Sequence, residues 1–242
     1  MSWNIWGGSR SGVVEAVNML EPDVVVLVDC KSRHVEGIVA DAAVAGYTHH
    51  LKSCTDYTGI LMLSPHPLNY GEIDDAPIPY RWLHAVSDHW GLEIAAIYGP
   101  LPKTIRAEPT MREFWNWLVP ACDRMVDRQA VLCGDFNTGI SRVDGPADYR
   151  FSCVSQFRDL VAHGWRDAYR ELHPGGGQYS WWHKGRGFRI DHCMLSRGIP
   201  APNRVAYTEQ NAGIRFGQSP SDSANVSAIS DHAALVLDFK LS

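Results

Sequence analysis

The sequence has no apolar run long enough to cross a bilayer, so a membrane-spanning protein is not expected. Its first residues carry neither a basic segment nor a long apolar one, which argues against a secretory signal peptide. It also contains no evident repeat and no low-complexity stretch. A basic excess is missing as well: the formal net charge is −5 at pH 7, unlike that of a protein that binds DNA by bulk electrostatics. A polyphosphate substrate would therefore need local basic groups and bound cations.

Paired cysteines are also missing. The six cysteines are scattered and form no CxxC pair: Cys30, Cys54, Cys122, Cys133, Cys153 and Cys193. At least Cys133 and Cys193 lie in apolar, strand-like runs, where a thiol packs as a small hydrophobic group. The pattern favours reduced, buried thiols in a cytoplasmic protein over a disulfide framework or a zinc site.

What the sequence does have is enough apolar content for a substantial core, with 242 residues of which 45% are hydrophobic. We expect one domain covering 1–242. Apolar strands alternate with amphipathic helices, which indicates a layered α/β fold. Strands are predicted at 23–28, 60–63, 82–86, 92–98, 179–182, 189–196 and 233–240.

Three helices are predicted from their capping residues. Ser11 is expected to cap the first. Thr110 and Glu113 have the spacing of a capping box and open the second, which Pro120 should kink or end. The third covers about 153–163, and Gly164 is its expected C-terminal cap.

Polar side chains stand at the ends of the predicted strands. Four of them follow the C-terminal ends of apolar runs: Asp29, Tyr98, Asp135 and Asn137. Three precede the N-terminal starts of such runs: Asp191, Asp231 and His232. All can share one rim only if the two groups of strands run antiparallel, so mixed or antiparallel sheets are predicted rather than a doubly wound parallel sheet. The long polar segments 68–79 and 207–225 are expected to border this rim or to be mobile.

These residue types suit the hydrolysis of a phosphodiester, which needs charge neutralisation, an activated water and help for the leaving oxygen. Asp135 and Asn137 are two apart and could hold a water and a phosphate oxygen together. Asp191 could fix the tautomer of His232, which could then bind a phosphoryl oxygen or act on the water. Asp231 could bind Mg²⁺, which prefers oxygen ligands. Tyr98 offers a phenol to the same phosphate.

In order, these segments resemble the endonuclease/exonuclease/phosphatase superfamily, and within it the exonuclease III type of apurinic/apyrimidinic endonuclease. The matching segments are Trp3-Asn4-Ile5, Pro22-Asp23-Val24-Val25 leading to Asp29, Tyr57-Thr58-Gly59-Ile60, Tyr98-Gly99-Pro100, Gly134-Asp135-Phe136-Asn137, the run 164–170, Tyr179-Ser180-Trp181-Trp182, Arg189-Ile190-Asp191-His192 and Ser230-Asp231-His232. Any one tetrapeptide is weak, whereas their joint order over nearly the whole chain is specific.

The resemblance implies a four-layered α/β sandwich of two mixed, mainly antiparallel sheets flanked by helices. It implies catalytic roles for Asp135, Asn137, His232, Asp191 and Tyr98. It also implies a Mg²⁺ or Mn²⁺ shell to which Asp29, Asp231 and Asn4 contribute, with Asn4 placing Asp135 as well. In the DNA-repair branch a small apolar pocket takes the flipped baseless sugar, and here Trp181, Phe188 and Ile190 occupy those positions.

Each of these assignments has a structural alternative. Aromatic residues near strands are commonly core residues, so the pocket role of Trp181 is open. Lys184, Arg186 and Arg189 could hold flanking phosphates, or could form an ordinary solvated cluster on a hairpin. His232 alone could be a structural histidine, and Asp135 with its neighbour could simply form a turn.

Two positions depart from the family pattern. The family usually has glutamate where this chain has Asp29, so the carboxylate is withdrawn by about 1.5 Å, one C–C bond. Because Mg²⁺ demands near-ideal geometry, it could sit differently, bind through water, or give way to Mn²⁺. The second departure is the segment Trp6–Ser11, which lacks the longer loop typical of the repair enzymes.

The sequence therefore predicts a monomeric, divalent-metal-dependent phosphodiesterase of DNA repair that acts on duplex DNA with abasic sites or damaged 3′ ends. It would be an AP endonuclease, a 3′-5′ exonuclease or a 3′-end-trimming enzyme that uses direct, in-line water attack. One alternative is a superfamily hydrolase for RNA or for a small-molecule or lipid phosphoester, which the acidic balance favours. Another is a non-catalytic nucleic-acid-binding module with a degenerate metal site, for which only Asp29 argues.

Overall fold

The computed structural model describes residues 1–102, 109–218 and 228–241. In these ranges the strands are β1 (Ser2–Gly7), β2 (Val25–Cys30), β3 (His49–Lys52), β4 (Ile60–Ser64), β5 (Asn69–Tyr70), β6 (Trp82–Ser87), β7 (Leu92–Tyr98), β8 (Ala130–Asp135), β9 (Arg166–Asp167), β10 (Trp181–His183), β11 (Arg186–Phe188), β12 (Asp191–Leu195), β13 (Arg204–Thr208), β14 (Gln210–Asn211), β15 (Ile214–Arg215) and β16 (Ala234–Asp238). The helices are α1 (Val13–Asn18), α2 (Ser32–Val44), α3 (Met111–Asp123), α4 (Val154–Ala162) and α5 (Ala168–Leu172), with a 3-10 turn at Pro79–Arg81.

Two six-stranded sheets form the centre of the fold. The first has the order β13-β16-β1-β2-β4-β3, and the second has the order β5-β6-β7-β8-β12-β9. Within the first sheet only the β1–β2 pair is parallel, and within the second only β7–β8 is. The prediction of mixed, mainly antiparallel sheets is therefore confirmed.

Side-chain alternation along the strands builds the layers. On β2, Val26 and Val28 enter the apolar core between the two sheets, where they join residues of β6, β7 and β8. Their neighbours Val25 and Leu27 point the other way, into a core shared with α1 and α2. The second sheet repeats the pattern, because its outer face packs against α3 and α4. Since successive strand residues face opposite sides, both sheets are covered on both faces, and the layers run helix, sheet, sheet, helix as predicted.

The predicted helix ends are partly confirmed. Thr110 and Glu113 form the capping box: the Glu113 N–H donates to Thr110 Oγ1 at 3.2 Å and the Thr110 N–H to Glu113 Oε2 at 2.6 Å. Gly164 follows α4 with φ 114°, as expected of a C-terminal cap. The prediction for Ser11 is wrong, and that for Pro120 is excluded only for a helix end, so that a kink there stays a prediction. Pro120 lies inside α3 without ending it, and α1 starts after Gly12 with no side-chain cap, so Ser11 does not cap it.

The predicted polar segment 207–225 contains structure of its own. It includes the end of β13 and the β14–β15 ribbon, while 219–225 lie outside the described residues. All six cysteines are free thiols. Within the described ranges, no helix has the length and apolarity needed to span a membrane.

Candidate active site

Two carboxylates and an imidazole converge where the sheets meet. Asp135 ends β8 and Asp191 starts β12, and the antiparallel pairing of these strands sets them directly opposite each other. His232 comes from the facing sheet, two residues before β16. One possible ligand atom from each of the three lies within 4.8 Å of the others, and all three residues are buried. The antiparallel arrangement inferred from the strand ends thus brings these distant segments together.

The His232 ring is held by Asp191. Its Nδ1 lies 2.8 Å from Asp191 Oδ2, so the ring donates this hydrogen bond and its Nε2 remains directed at the site. The backbone around both residues is fixed as well. The Asp191 N–H donates to Ser180 Oγ at 3.1 Å, and the His232 N–H donates to Ser230 Oγ at 3.1 Å. Tyr207 Oη donates to the Asp191 carbonyl at 2.7 Å. The pair is therefore rigidly oriented.

Asp135 is oriented by two asparagines. Asn4 Nδ2 donates to Asp135 Oδ2 at 3.0 Å, and the Asn137 N–H donates to Oδ1 at 2.9 Å. Asn137 adopts φ 51°, a left-handed conformation that asparagine tolerates, and its Nδ2 donates to the Gly99 carbonyl at 2.7 Å. The predicted contact between Asn4 and Asp135 is therefore present.

Burial and crowding of negative charge shift the pKa values of this group. Burial raises the pKa of Asp135 to about 7, and the charge of Asp191 acts in the same direction against His232 and the asparagine donors. Burial alone would lower the pKa of His232, but Asp191, Asp135 and Asp231 outweigh it and raise that pKa to about 9. In the metal-free protein, these charges therefore favour a protonated imidazole on His232 and a raised proton affinity of the Asp135 carboxyl group.

The donor set fits a divalent cation. Asp191 Oδ1 is buried and has no hydrogen-bond partner among the described residues, although a buried carboxylate oxygen is costly when left unpaired. The two carboxylates offer hard oxygen donors to such an ion, with the His232 imidazole beside them and one atom of each of the three residues within 4.8 Å of the others. An ion would also offset the charge that raises the pKa of Asp135. The residues present therefore suit a bound metal.

The two aspartates predicted as metal ligands border this group rather than belong to it. Asp29 adopts φ 54°, and its Oδ1 accepts a hydrogen bond from Thr58 Oγ1 at 2.7 Å. Asp231 Oδ2 accepts from Trp181 Nε1 at 3.0 Å, and its Oδ1 lies 4.0 Å from His232 Nε2. The role of these two aspartates as metal ligands therefore stays a prediction.

Tyr98 lies at the end of β7, opposite Asp135 on β8. Burial, together with the charges of Asp29 and Asp135, raises the pKa of its phenol, so the hydroxyl stays protonated. Sequence reasoning missed its partner Arg81, whose guanidinium lies 4.5 Å from the Tyr98 ring centroid. Arg81 Nη1 donates to the Tyr98 carbonyl at 3.2 Å. A cation beside a hydroxyl donor is suited to an anionic oxygen.

The close spacing of β7 and β8, which carry Tyr98 and Asp135, depends on a glycine. Gly134 has φ 137°, and a Cβ added there would collide with the carbonyl oxygen of Ile97 on β7. The pairing Tyr98–Asp135 is the next step of the same parallel ladder. Only glycine lets the two backbones approach this closely.

The three predicted sugar-pocket residues form an apolar cluster beside the site. Phe188 and Ile190 are buried with Phe151, and Trp181 packs partly exposed against them. The Trp181 ring centroid lies 5.5 Å from that of Phe188 and 6.3 Å from that of His232. The cluster is thus next to the histidine, and its use as a sugar pocket stays a prediction.

The three residues of the predicted basic cluster lie in different environments. Lys184 is exposed at the tip of the β10–β11 hairpin, and Arg186, also exposed, forms an ion pair with Asp148. Arg189 is 0% exposed. The phosphate-binding prediction for Arg189 is therefore wrong, because its guanidinium points into the protein.

Arg189 instead anchors a buried ion network that sequence reasoning missed. Its Nε donates to Asp144 at 2.8 Å, and its Nη1 and Nη2 donate to the two oxygens of Asp167 at 3.0 and 2.6 Å. Arg170 Nη2 donates to Asp144 at 2.5 Å. Asp144 lies in a segment that matched no pattern. Asp167 lies in the run 164–170 that resembles the superfamily, but that run gave no sign of pairing with Arg189.

The two facing sheets and the buried acid–histidine group at their edge define a hydrolase-type α/β sandwich. The chain belongs to the Endonuclease/Exonuclease/phosphatase family, whose sequence model matches residues 1–232. No curated protein matches the chain significantly.

Solved structures share the fold along the whole chain. One is the 3′ phosphatase NExo from Neisseria bound to a product DNA hairpin, with 22% identity, a TM-score of 0.77 and 99% and 98% of the two chains covered. The 3′-5′ exonuclease NExo from Neisseria meningitidis has 21% identity, a TM-score of 0.76 and 98% of both chains covered. An AP endonuclease from Archaeoglobus fulgidus has 19% identity, a TM-score of 0.76 and 98% and 97% covered.

Proposed function

We propose that the protein is a divalent-metal-dependent phosphodiesterase of DNA repair, which uses Mg²⁺ or Mn²⁺ to cut at abasic sites or to trim damaged 3′ ends. The observation that carries the proposal is the buried group Asp135, Asp191 and His232 with its unpartnered carboxylate oxygen. The substrate class is supported by the similar structures, which include a 3′ phosphatase with product DNA and an AP endonuclease.

In the proposed reaction, Asp135 accepts a proton from the attacking water. Burial raises the pKa of this carboxyl group and makes it a stronger base than an exposed carboxylate, so it can accept the proton and release it afterwards. Asn137 orients the water and the phosphate. A bound divalent ion would neutralise the charge that develops on the phosphoryl oxygens. Asp29, Asp231 and Asn4 remain the proposed contributors to its shell, alongside the free oxygen of Asp191.

The remaining residues stabilise the phosphate. His232, protonated because its pKa is about 9, donates from Nε2 to a phosphoryl oxygen while Asp191 fixes the ring. The Tyr98 hydroxyl donates a hydrogen bond to the same phosphate, with Arg81 beside it. No serine, cysteine or threonine in the group is paired with a base, so direct in-line attack by water is favoured over a covalent intermediate.

The enzyme is further proposed to work as a monomer of one domain, 1–242, in the cytoplasm. The free thiols support that compartment. One observation favours a second candidate, a hydrolase of small phosphoesters. Of the three predicted phosphate-binding basic residues, Arg189 is buried and Arg186 is already paired with Asp148.

Incubation of the protein with different phosphodiesters separates these candidates. The substrates are a duplex with one abasic analogue, a duplex with a 3′-phosphate, an intact duplex, an RNA strand and bis(4-nitrophenyl) phosphate, each with EDTA, Mg²⁺ or Mn²⁺. Metal-dependent nicking at the lesion or release of the 3′-phosphate supports the proposal. Turnover of the small ester alone favours the second candidate. Inactivity with every cation leaves only a binding module and overturns both.

A further inference from the structure

Trp6 presents its indole to solvent from an otherwise buried strand. The side chain is 51% exposed, whereas the other five residues of β1 are buried. β1 is an inner strand, with β16 on one side and β2 on the other. A half-exposed tryptophan is unexpected in this position, because the residue loses the apolar contacts that normally bury it.

The backbone is distorted to place the indole there. Trp6 has φ 48°, a left-handed conformation that costs a non-glycine residue of order 1–3 kcal/mol. The pairing of β1 with β2 shifts register between Asn4 and Gly7, and such an irregularity re-aims a side chain beside a site. Strain of this kind persists only when surrounding contacts enforce it.

The enforcing contact joins Trp6 to the catalytic group. Its N–H donates to Asn4 Oδ1 at 3.0 Å, while the Nδ2 of the same asparagine donates to Asp135. One amide side chain therefore couples the position of Trp6 to that of the proposed general base. The Trp6 backbone is therefore two hydrogen bonds away from Asp135, through Asn4.

Two cationic side chains lie near Trp6. The guanidinium of Arg10 lies 4.7 Å from the Trp6 ring centroid and also donates to the Ala228 carbonyl. Lys31 lies against the next residue of the strand, with its Nζ 3.4 Å from where a Cβ of Gly7 would lie. An exposed aromatic ring beside positive charge is the chemistry that proteins use to bind single-stranded nucleic acid, with a base stacked on the ring.

We propose that Trp6 is a stacking platform for a nucleobase of an unpaired strand, and that Arg10 and Lys31 supply positive charge along its phosphates. This rests on the proposed function and narrows it: the substrate is DNA with a single-stranded or frayed 3′ end beside the scissile phosphate. The short segment 6–11 thereby contributes to substrate binding, because the Trp6 indole contacts the displaced base.

Binding without turnover tests this. Wild type, Trp6→Ala and Trp6→Phe are titrated in EDTA with oligonucleotides carrying 2-aminopurine near the 3′ end, either single-stranded, in a duplex with an unpaired 3′ overhang, or in a blunt duplex. Stacking is worth about 1–3 kcal/mol per base, so Trp6→Ala should bind the first two roughly 5- to 150-fold more weakly. It should also lose the fluorescence quenching. Trp6→Phe should retain most of both, because a phenyl ring still stacks.

Trp90→Ala is the matched control, since this indole precedes β7 at the end opposite Tyr98. It should bind like wild type. Circular dichroism and the urea midpoint of Trp6→Ala should match those of wild type and show that the variant is folded. Single-strand binding within twofold of wild type would overturn the inference, as would equal losses on blunt duplex.

The outcome is separable from that of the proposed function. A wild-type protein that binds single strands through Trp6 but hydrolyses nothing would refute the nuclease while keeping the platform. Metal-dependent DNA cleavage with unaltered binding by Trp6→Ala would refute the platform alone.

Discussion

Two buried groups of charged residues lie next to each other in this protein, and the pKa values of their aspartates are shifted in opposite directions. In the active-site group, Asp135 and Asp191 face each other with a single histidine, and the pKa of Asp135 is raised to about 7. In the neighbouring network, Asp144 and Asp167 share the buried guanidinium of Arg189. Burial alone would raise the pKa of Asp144, but Arg189 and His192 outweigh it and lower that pKa.

The comparison shows that the pairing of a buried carboxylate separates a structural role from a catalytic one. Arg189 precedes Asp191 by only two residues, yet one carboxylate set is fully compensated and the other keeps an oxygen without a partner. Buried charge that is paired and hydrogen-bonded fixes a structure. Buried acid left without a cation is an unfavourable arrangement that a metal or substrate can relieve.

The largest expected effect is on turnover. His232→Ala removes the donor to the phosphoryl oxygen, and Asp135→Asn removes the proton acceptor, so each should lower kcat by roughly 10³-fold. DNA cleavage with Mg²⁺ and with Mn²⁺ measures this. Both variants should keep wild-type circular dichroism, since the paired network still holds β12.

Matched surface changes serve as controls for turnover. His50→Ala and Asp74→Asn alter exposed residues and should leave kcat unchanged. Full activity in His232→Ala or Asp135→Asn would contradict the assigned roles.

A second change should act on stability. Asp144→Asn leaves Arg189 and Arg170 partly unpaired in the interior, and breaking a buried ion pair costs about 3–5 kcal/mol. Urea unfolding measures the loss. Asp127→Asn removes a carboxylate from the exposed pair with Arg197 and should give no measurable change. If Asp144→Asn were as stable as that control, the network would not be a structural anchor.

The two groups should respond to pH with opposite signs. The folded pKa of Asp135, about 7, exceeds its unfolded value of about 4, so metal-free stability from this residue should rise as pH falls from 7 to 4. The folded pKa values of Asp144 and Asp167 are lowered, so their contribution is complete above about pH 4 and is lost below it. Urea midpoints in EDTA measure both limbs.

Variants assign each limb to its group. Asp135→Asn should remove the rise between pH 7 and 4 and leave the acid loss, whereas Asp74→Asn should reproduce the wild-type curve. A rise that survives in Asp135→Asn would show that another group causes it.

The smallest expected effect is at Asp29. Asp29→Glu restores the acid that the family usually has, so Mg²⁺-supported activity should be retained or raised by a few-fold. Rates with Mg²⁺ and Mn²⁺ are compared, with Asp56→Glu as a control in the adjoining loop. A large loss would show that the site is built around the shorter acid, with Thr58 as its partner.

Much of the site could be predicted because its residues sit at strand ends. A strand end has a defined place in a sheet, so the positions of Asp135, Asp191 and His232 implied antiparallel sheets and a shared edge. Both are present. The capping box could likewise be predicted from the sequence, because its two hydrogen bonds join residues only three apart.

The remainder depended on contacts that local pattern does not encode. Arg189 looked exposed because arginine usually is, but its partners Asp144 and Asp167 lie 45 and 22 residues away in the chain. The same holds for Arg81, which reaches Tyr98 from a 3-10 turn. Pro120 was expected to kink or end its helix, but α3 continues through it because its packing against the second sheet overrides local preference.

The close approach at Gly134 has a practical consequence. Since the backbone ladder itself sets the spacing between phenol and carboxylate, the reactive centre is insulated from changes in the surrounding surface. Loops at the rim, such as the β10–β11 hairpin, can therefore change in sequence and alter substrate choice without moving the catalytic residues beneath them.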